Sequence, residues 1–334
     1  MTTIGVVGLG LIGSRRLVAA RHLGCDVAFA VDPDTRSREK VGQVRGCLTS
    51  DVAMVPPEVA ASADVIFVAV PHDLAHEHCQ WALSQGAHVF CEKPMGVSLA
   101  QAQNLRAKVL ATGRRFCAGF NYRFLPAIGE FKRLVDEGAL GELWEVQFSM
   151  GHGGRPGMEH EWKVSKMRAG GGALIDPGIH LIDLTHFLIG SATVMSARTQ
   201  KRFWRTDVED FCWAQLRCGQ VDVSLRVSLT SWQNHFSIDA YGSEGCVSVR
   251  GRGGNYGEQR LDFVNRWFWN GDDRRLTREY GIDDISFESE TAAFLAAVAG
   301  GSTDFRLSDS DDGVAALTVV KSLYEAAGAG QGSD

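Results

Sequence analysis

The stretch Gly8-Leu-Gly10-Leu-Ile-Gly13 follows the apolar run Thr3–Val7 and opens a helical pattern at Leu11. In that setting Gly-x-Gly-x-x-Gly is a dinucleotide-binding fingerprint. Gly8 permits a tight turn, Gly10 lets a pyrophosphate approach the backbone, and Gly13 allows close helix–strand packing. The helix start, at Leu11 and Ile12, offers free amides and a positive dipole end to phosphates. Asp32 stands nineteen residues after Gly13, at the end of the second apolar run Val27–Val31, where an acid binds ribose. Asp32 and Asp34 would repel a 2′-phosphate and favour NAD. Arg36 and Arg38 would either bind that phosphate or lie solvated on a helix face, so NADP stays open as the second cofactor.

Further apolar runs without alternation, Val65–Val70, Ala87–Cys91 and Arg115–Gly119, are separated by helical segments at Leu74–Gln85 and Leu99–Ala111. Such runs belong to strands covered on both faces, so residues 1–120 are read as a doubly wound parallel α/β sheet. From residue 121 to 334 the pattern becomes α+β. A helix at Ile128–Glu137, a strand at Glu142–Met150, a polar loop over 151–172 and a helix at Pro177–Ile189 precede four or five alternating segments between Val194 and Arg250. Their period-2 alternation indicates a large, mostly antiparallel open sheet, followed by helices at Ser286–Ala299 and Ser308–Ala327.

At 334 residues, with net charge −6 and no basic stripe, the chain is neither a nucleic-acid binder nor a membrane-spanning protein by composition. Its eight cysteines form no C-x-x-C pair, and several sit in apolar runs, as expected of reduced thiols in the cytoplasm. The pair Arg15-Arg16 lacks the apolar region of an export signal. His72, His76 and His78 do not share one helix face, so no metal site is expected there.

Two further motifs carry acid–base chemistry. Glu92-Lys93-Pro94 closes the run Ala87–Cys91, and Asp176 precedes His180 by four residues at a helix start, which would place both side chains on one face. A lysine to polarise an oxygen and an Asp/His pair to move a proton suit oxidation of a hydroxyl. Alone, each has an ordinary structural alternative: a strand-end charge, an N-cap before Pro177, a satisfied core histidine.

With Val70-Pro71-His72-x3-His76, Asn121-Tyr122-Arg123-Phe124, Gly170-Gly-Gly-x3-Asp176-x3-His180-x2-Asp183 and the late Leu-Tyr324-Glu-Ala-Ala, the chain resembles the glucose-fructose oxidoreductase, inositol dehydrogenase and rhizopine-catabolism (Gfo/Idh/MocA) family nearly end to end. The resemblance implies a Rossmann domain, an α+β domain whose open sheet forms dimers or tetramers, and a cytoplasmic oxidoreductase. It makes Lys93 the residue that polarises the reacting hydroxyl, His180 the acid/base, and Asp176 the group that orients this imidazole or hydrogen-bonds the substrate. It sets Val70, Pro71, His76 and Glu92 around the nicotinamide, and a cis bond at Lys93-Pro94. Tyr122 and Arg123 would reach substrate or pack.

The loop carrying His152, Arg155, Trp162 and Lys163 is where substrate choice is expected. An indole against a sugar's C–H face, among charged groups, suits a sugar, cyclitol or amino derivative. Two other activities fit the same motifs: an NAD-dependent glycosidase acting by transient oxidation at C3, and a non-catalytic dinucleotide sensor.

Overall fold

The computed structural model describes residues 1–42, 46–267 and 275–329. The chain forms two compact units. One holds Met1–Asn121 and Ser286–Leu317; the other holds Tyr122–Ile285 and the chain from Thr318 on.

In the first unit six parallel strands, β1 (Thr3–Val7), β2 (Asp26–Val31), β3 (Cys47–Thr49), β4 (Val65–Val68), β5 (His88–Glu92) and β6 (Phe116–Gly119), run in the order β3-β2-β1-β4-β5-β6. Helices α1 (Leu11–His22), α2 (Thr35–Glu39), α3 (Pro57–Ala61), α4 (His72–Ser84) and α5 (Leu99–Thr112) connect them. All four residues of β4 are buried, as a central strand covered on both faces requires. Gly5 lies against the Phe29 ring: a Cβ there would fall 2.1 Å from its Cζ. The order reverses between β1 and β4, the switch point at which doubly wound sheets take their ligands.

The second unit is built on eight strands: β7 (Leu143–Gly151), β8 (Thr193–Gln200), β9 (Phe211–Cys218), β10 (Val221–Ser228), β11 (His235–Gly242), β12 (Gly245–Arg250), β13 (Arg260–Asn265) and β14 (Arg275–Glu279). Their order is β14-β13-β12-β11-β7-β10-β9-β8, and every neighbouring pair is antiparallel except β7–β10. One face is apolar, with Val223, Leu225 and Val227 on β10 and Phe236, Ile238 and Ala240 on β11. Helices α6 (Pro126–Asp136), α7 (Lys166–Ala169) and α8 (Ile179–Leu188) belong to this unit. Most of α8 is buried, including its polar His180, Asp183 and Thr185.

The alternation visible in the sequence ends at Arg250, and β13 and β14 lie beyond it. Both are weak in apolar signal: β14 is Arg-Leu-Thr-Arg-Glu, and β13 buries only Leu261. Charged strands at a sheet edge resist pairing with other chains, and they lack the alternation that marks a strand. Similarly, β3 has three residues. The loop after β7 is broken by two 3-10 turns, Met158–His160 and Trp162–Val164, and by α7.

The chain then returns to the first unit through α9 (Ser286–Val298), and α10 (Ser310–Ala329) starts on Asp309, whose carboxylate accepts from the amides of Asp311 and Asp312. The first passage between units falls at 121/122, while 286–317 is a second piece of the first unit that a single cut after residue 120 leaves out. Its tether is Glu290, which pairs with Arg16 on α1 at 2.5 Å with neither side chain exposed. The eight cysteines are all free thiols.

Candidate active site

In the first unit, the fingerprint forms the turn from β1 into α1. Gly8 has φ +90°, and a Cβ on it would fall 2.3 Å from the Ala69 carbonyl, with Val70 beside it. A Cβ on Gly13 would fall 1.8 Å from the Gly8 carbonyl oxygen, so only glycine lets the helix meet the strand. Around Gly10 nothing approaches, and Leu11 is 76% exposed. Ile12 is half-buried, and no capping side chain covers the first amides of α1. This open helix start is a cradle into which a phosphate fits.

Asp32 closes the cradle. Its Oδ2 accepts from the Leu9 amide at 2.7 Å and its Oδ1 from Asp34 N at 2.8 Å, which fixes the carboxylate at the end of β2. Arg38 donates to the carbonyls of Asp32 and Pro33 and to Thr35 Oγ1, binding the β2–α2 turn; Arg36 lies exposed on α2. The residues fit a dinucleotide with a free 2′-hydroxyl.

On the neighbouring strand end, Pro71 caps α4. One turn in, His76 Nε2 meets Asn104 Oδ1 at 3.0 Å and Gln80 at 3.2 Å. Among the described residues no group of three His, Cys, Asp or Glu side chains could hold a metal ion. Lys93 follows the last residue of β5, and the Lys93-Pro94 bond is cis. The Glu92 carboxylate receives Arg16 Nε at 2.7 Å.

In the second unit, α8 begins at Ile179, with Gly178 as its N-cap. Asp176 lies before it in a turn, its amide donating to Gly172 O and its bond to Pro177 cis. Asp176 lies outside the helix, so Asp176 and His180 do not share a helical face. Another device places the imidazole: its ring stacks on Tyr122 at 3.9 Å between centroids and 7° between planes. Phe236 meets the Tyr122 ring edge-on at 5.7 Å, and the Arg252 guanidinium lies 5.0 Å from its centre. Tyr122 is buried, and burial pushes its phenol well above the ordinary value.

Asp176 Oδ2 accepts from Lys163 Nζ at 2.9 Å, and this carboxylate is the main reason the ammonium is held above its usual range. Lys163 in turn lies 5.8 Å from the Trp162 ring. His152 Nδ1 accepts from the Gly154 amide at 2.9 Å. Burial pushes its imidazole below the ordinary value; the Asp176 charge opposes this, and Lys163, Arg155 and Arg252 add to it. Arg155 pairs with Glu161 at 2.8 Å with its own side chain largely exposed. Arg123 points elsewhere: it forks onto Asp183 at 2.6 to 3.2 Å, both side chains buried.

The glycine run before Asp176 has a packing cause. A Cβ on Gly171 would fall 1.9 Å from Tyr324 Oη, and one on Gly172 would fall 1.9 Å from Glu209 O. The buried Glu209 carboxylate accepts from the amides of Gly172 and Leu174 and from Tyr324 Oη at 2.8 Å. Burial raises its carboxyl pKa and those hydrogen bonds oppose the rise. Sequence reasoning alone does not bring Glu209, Arg252 or Arg16 to a site. The one local signal among them is Arg252, an arginine inside the run Gly251-Arg-Gly-Gly254.

The NAD-binding Rossmann domain model of the oxidoreductase family matches residues 2–120, and the GFO/IDH/MocA C-terminal domain model matches residues 128–248. A protein of Amycolatopsis mediterranei named as a UDP-kanosamine synthase oxidoreductase subunit is 32% identical over 273 residues, 73% of this chain and 74% of that protein. Escherichia coli D-glucoside 3-dehydrogenase is 33% identical over 141 residues, 41% of this chain and 39% of the enzyme. Among solved structures, levoglucosan dehydrogenase in complex with NADH and levoglucosan superposes with a TM-score of 0.85 at 20% identity, covering 98% of this chain and 97% of that one. The chain belongs to the Gfo/Idh/MocA family of NAD-binding oxidoreductases.

Proposed function

We propose that this protein transfers a hydride between a secondary hydroxyl of a sugar, cyclitol or amino derivative and NAD. The observation that carries the reading is the stacked His180–Tyr122 pair, with Asp176 just before its helix, in a chain whose other unit carries Lys93 after β5 and an open helix start at α1. Names of relatives that act on sugars support the substrate class. NAD, when bound, supplies the hydride acceptor. Gly8, Gly10, Leu11, Ile12 and Gly13 receive its pyrophosphate and Asp32 its ribose diol. Lys93 Nζ donates to the reacting oxygen and stabilises the negative charge that develops there. His180 takes the hydroxyl proton. Asp176, paired with Lys163, hydrogen-bonds the substrate, and His152, Trp162 and Arg155 line the sugar.

The test is a panel of methyl glucoside, glucose 6-phosphate, myo-inositol and glucosamine with NAD, followed by NADH absorbance. Turnover of at least one supports the reading, and aglycone release without NADH contradicts it. With that substrate, kcat/KM for NAD should exceed that for NADP by about tenfold or more, since a carboxylate at the 2′ position repels phosphate. Equal efficiencies would contradict the role of Asp32.

The imidazole plane should depend on an aromatic ring at 122. Tyr122→Phe should keep kcat within about threefold, and Tyr122→Leu should lower it about tenfold, as misplaced catalytic groups do. Equal values for the two variants would remove the stack from the mechanism. We also propose that the outer face of the second unit's sheet, where Trp213 and Tyr241 are exposed among Glu145, Gln147, Ser149 and Gln215, joins copies of the chain. Sedimentation of wild type against Trp213→Glu reads this directly.

A further inference from the structure

We propose that Arg16 is a positioning residue for Lys93, acting through Glu92. The inference rests on the reading of Lys93 as catalytic and concerns what holds it in place.

Arg16 lies on the cofactor-side helix α1 and has no exposed surface. Each of its three guanidinium nitrogens is engaged: Nε donates to Glu92 Oε1 at 2.7 Å, Nη2 to Glu290 Oε2 at 2.5 Å, and Nη1 to Phe287 O at 3.0 Å and Thr291 Oγ1 at 3.2 Å. The plane lies 4.2 Å from the Phe90 ring and 4.7 Å from the Phe287 ring. Burial works against the charge, and the two carboxylates outweigh it.

Stability alone does not account for such a group. Buried ion pairs repay their desolvation poorly, and apolar side chains of similar volume often hold a core as well or better. A planar, fully engaged fork does fix direction, and here the direction is that of Glu92. The ladder of β5 with β4 ends at Val68–Cys91, and its ladder with β6 ends at Glu92–Gly119. Lys93 therefore comes just after the last residue the sheet fixes. The Glu92 carboxylate passes over Gly119, where a Cβ would lie 2.9 Å from Oε2, and its other oxygen is tied to Arg16. One charged contact thus anchors the strand end next to Lys93. Its counterweight, Glu290, sits on α9 in the piece of chain that returns to this unit.

The test uses Glu92→Leu, which leaves Arg16 paired with Glu290, and Glu92→Gln, which keeps the acceptor. Mass spectrometry of the cofactor-free protein follows acylation of Lys93 by acetic anhydride. Glu92→Leu should change the labelling rate several-fold, and Glu92→Gln should restore the wild-type rate. Arg16→Met combined with Glu290→Leu, which strands no fully buried charge, should reproduce the Glu92→Leu rate. In turnover, Glu92→Leu should lower kcat about 10²-fold with KM for the sugar and calorimetric affinity for NAD unchanged, as a displaced catalytic group does. Unchanged Lys93 labelling in Glu92→Leu would overturn the proposal. So would a weakened NAD affinity with unchanged kcat, which would make Glu92 a cofactor contact. A protein that oxidises no sugar while its Lys93 labelling responds to Glu92 would refute the proposed reaction and leave the positioning intact.

Discussion

Replacing Lys93 by alanine should lower kcat by about 10³-fold while leaving calorimetric affinity for NAD within about twofold, because hydrogen-bonding catalysis at the reacting oxygen contributes roughly 10² to 10⁴. An alcohol is a poor hydride donor until its oxygen begins to carry negative charge. An ammonium placed at that oxygen stabilises the alkoxide-like state more than the ground-state hydroxyl, so its loss appears in kcat. Lys93→Arg should fail nearly as badly, since a wide planar fork cannot occupy the position of a compact ammonium on a flexible stem. Steady-state kinetics with the panel sugar, beside calorimetry, gives both numbers. Activity of Lys93→Ala within tenfold of wild type would remove the lysine from the chemistry.

The second large effect is on stability. Arg123→Leu removes from the Asp183 carboxylate, 1% exposed, the fork that contacts both of its oxygens. Breaking a buried pair by removing one partner costs roughly 3–5 kcal/mol, most of it the uncompensated charge. The denaturation midpoint of the second unit should fall accordingly. Arg123→Leu combined with Asp183→Leu should recover much of the loss, because replacing both members by apolar groups is often close to neutral. A single variant as stable as wild type would mean the pair is solvated. If Arg123 bound substrate directly, KM would rise sharply in protein that is still folded.

The parts legible in the sequence were those whose meaning is local. The fingerprint is a fixed glycine spacing within one βα turn, even though Gly8 also answers a contact with Ala69 on the neighbouring strand end, and Asp32 lies at a fixed distance along the next strand. The central strands announce themselves because both faces are buried. What escaped was set by partners far along the chain. Arg16 meets Glu92 across 76 residues and Glu290 across 274, while Arg123 meets Asp183 across 60. A short run shows only two adjacent arginines or an Asn-Tyr-Arg triplet. A spacing of four residues suggests one helical face for Asp176 and His180, but the helix starts only at Ile179. In the loop the sequence shows only residue types, and the structure gives them partners: Lys163 on Asp176, Arg155 on Glu161 and His152 on the Gly154 amide.

The most direct test of the account follows an isotope. A panel sugar deuterated at its reacting carbon is incubated with NAD and the protein in a single turnover, and the nicotinamide and sugar products are analysed by mass spectrometry and proton NMR. The account predicts deuterium at C4 of the reduced nicotinamide, one equivalent of keto-sugar, and a slower rate than with the protiated sugar. Keto-sugar lacking its deuterium while the nicotinamide carries none, or aglycone release with NAD returned unreduced, would contradict it.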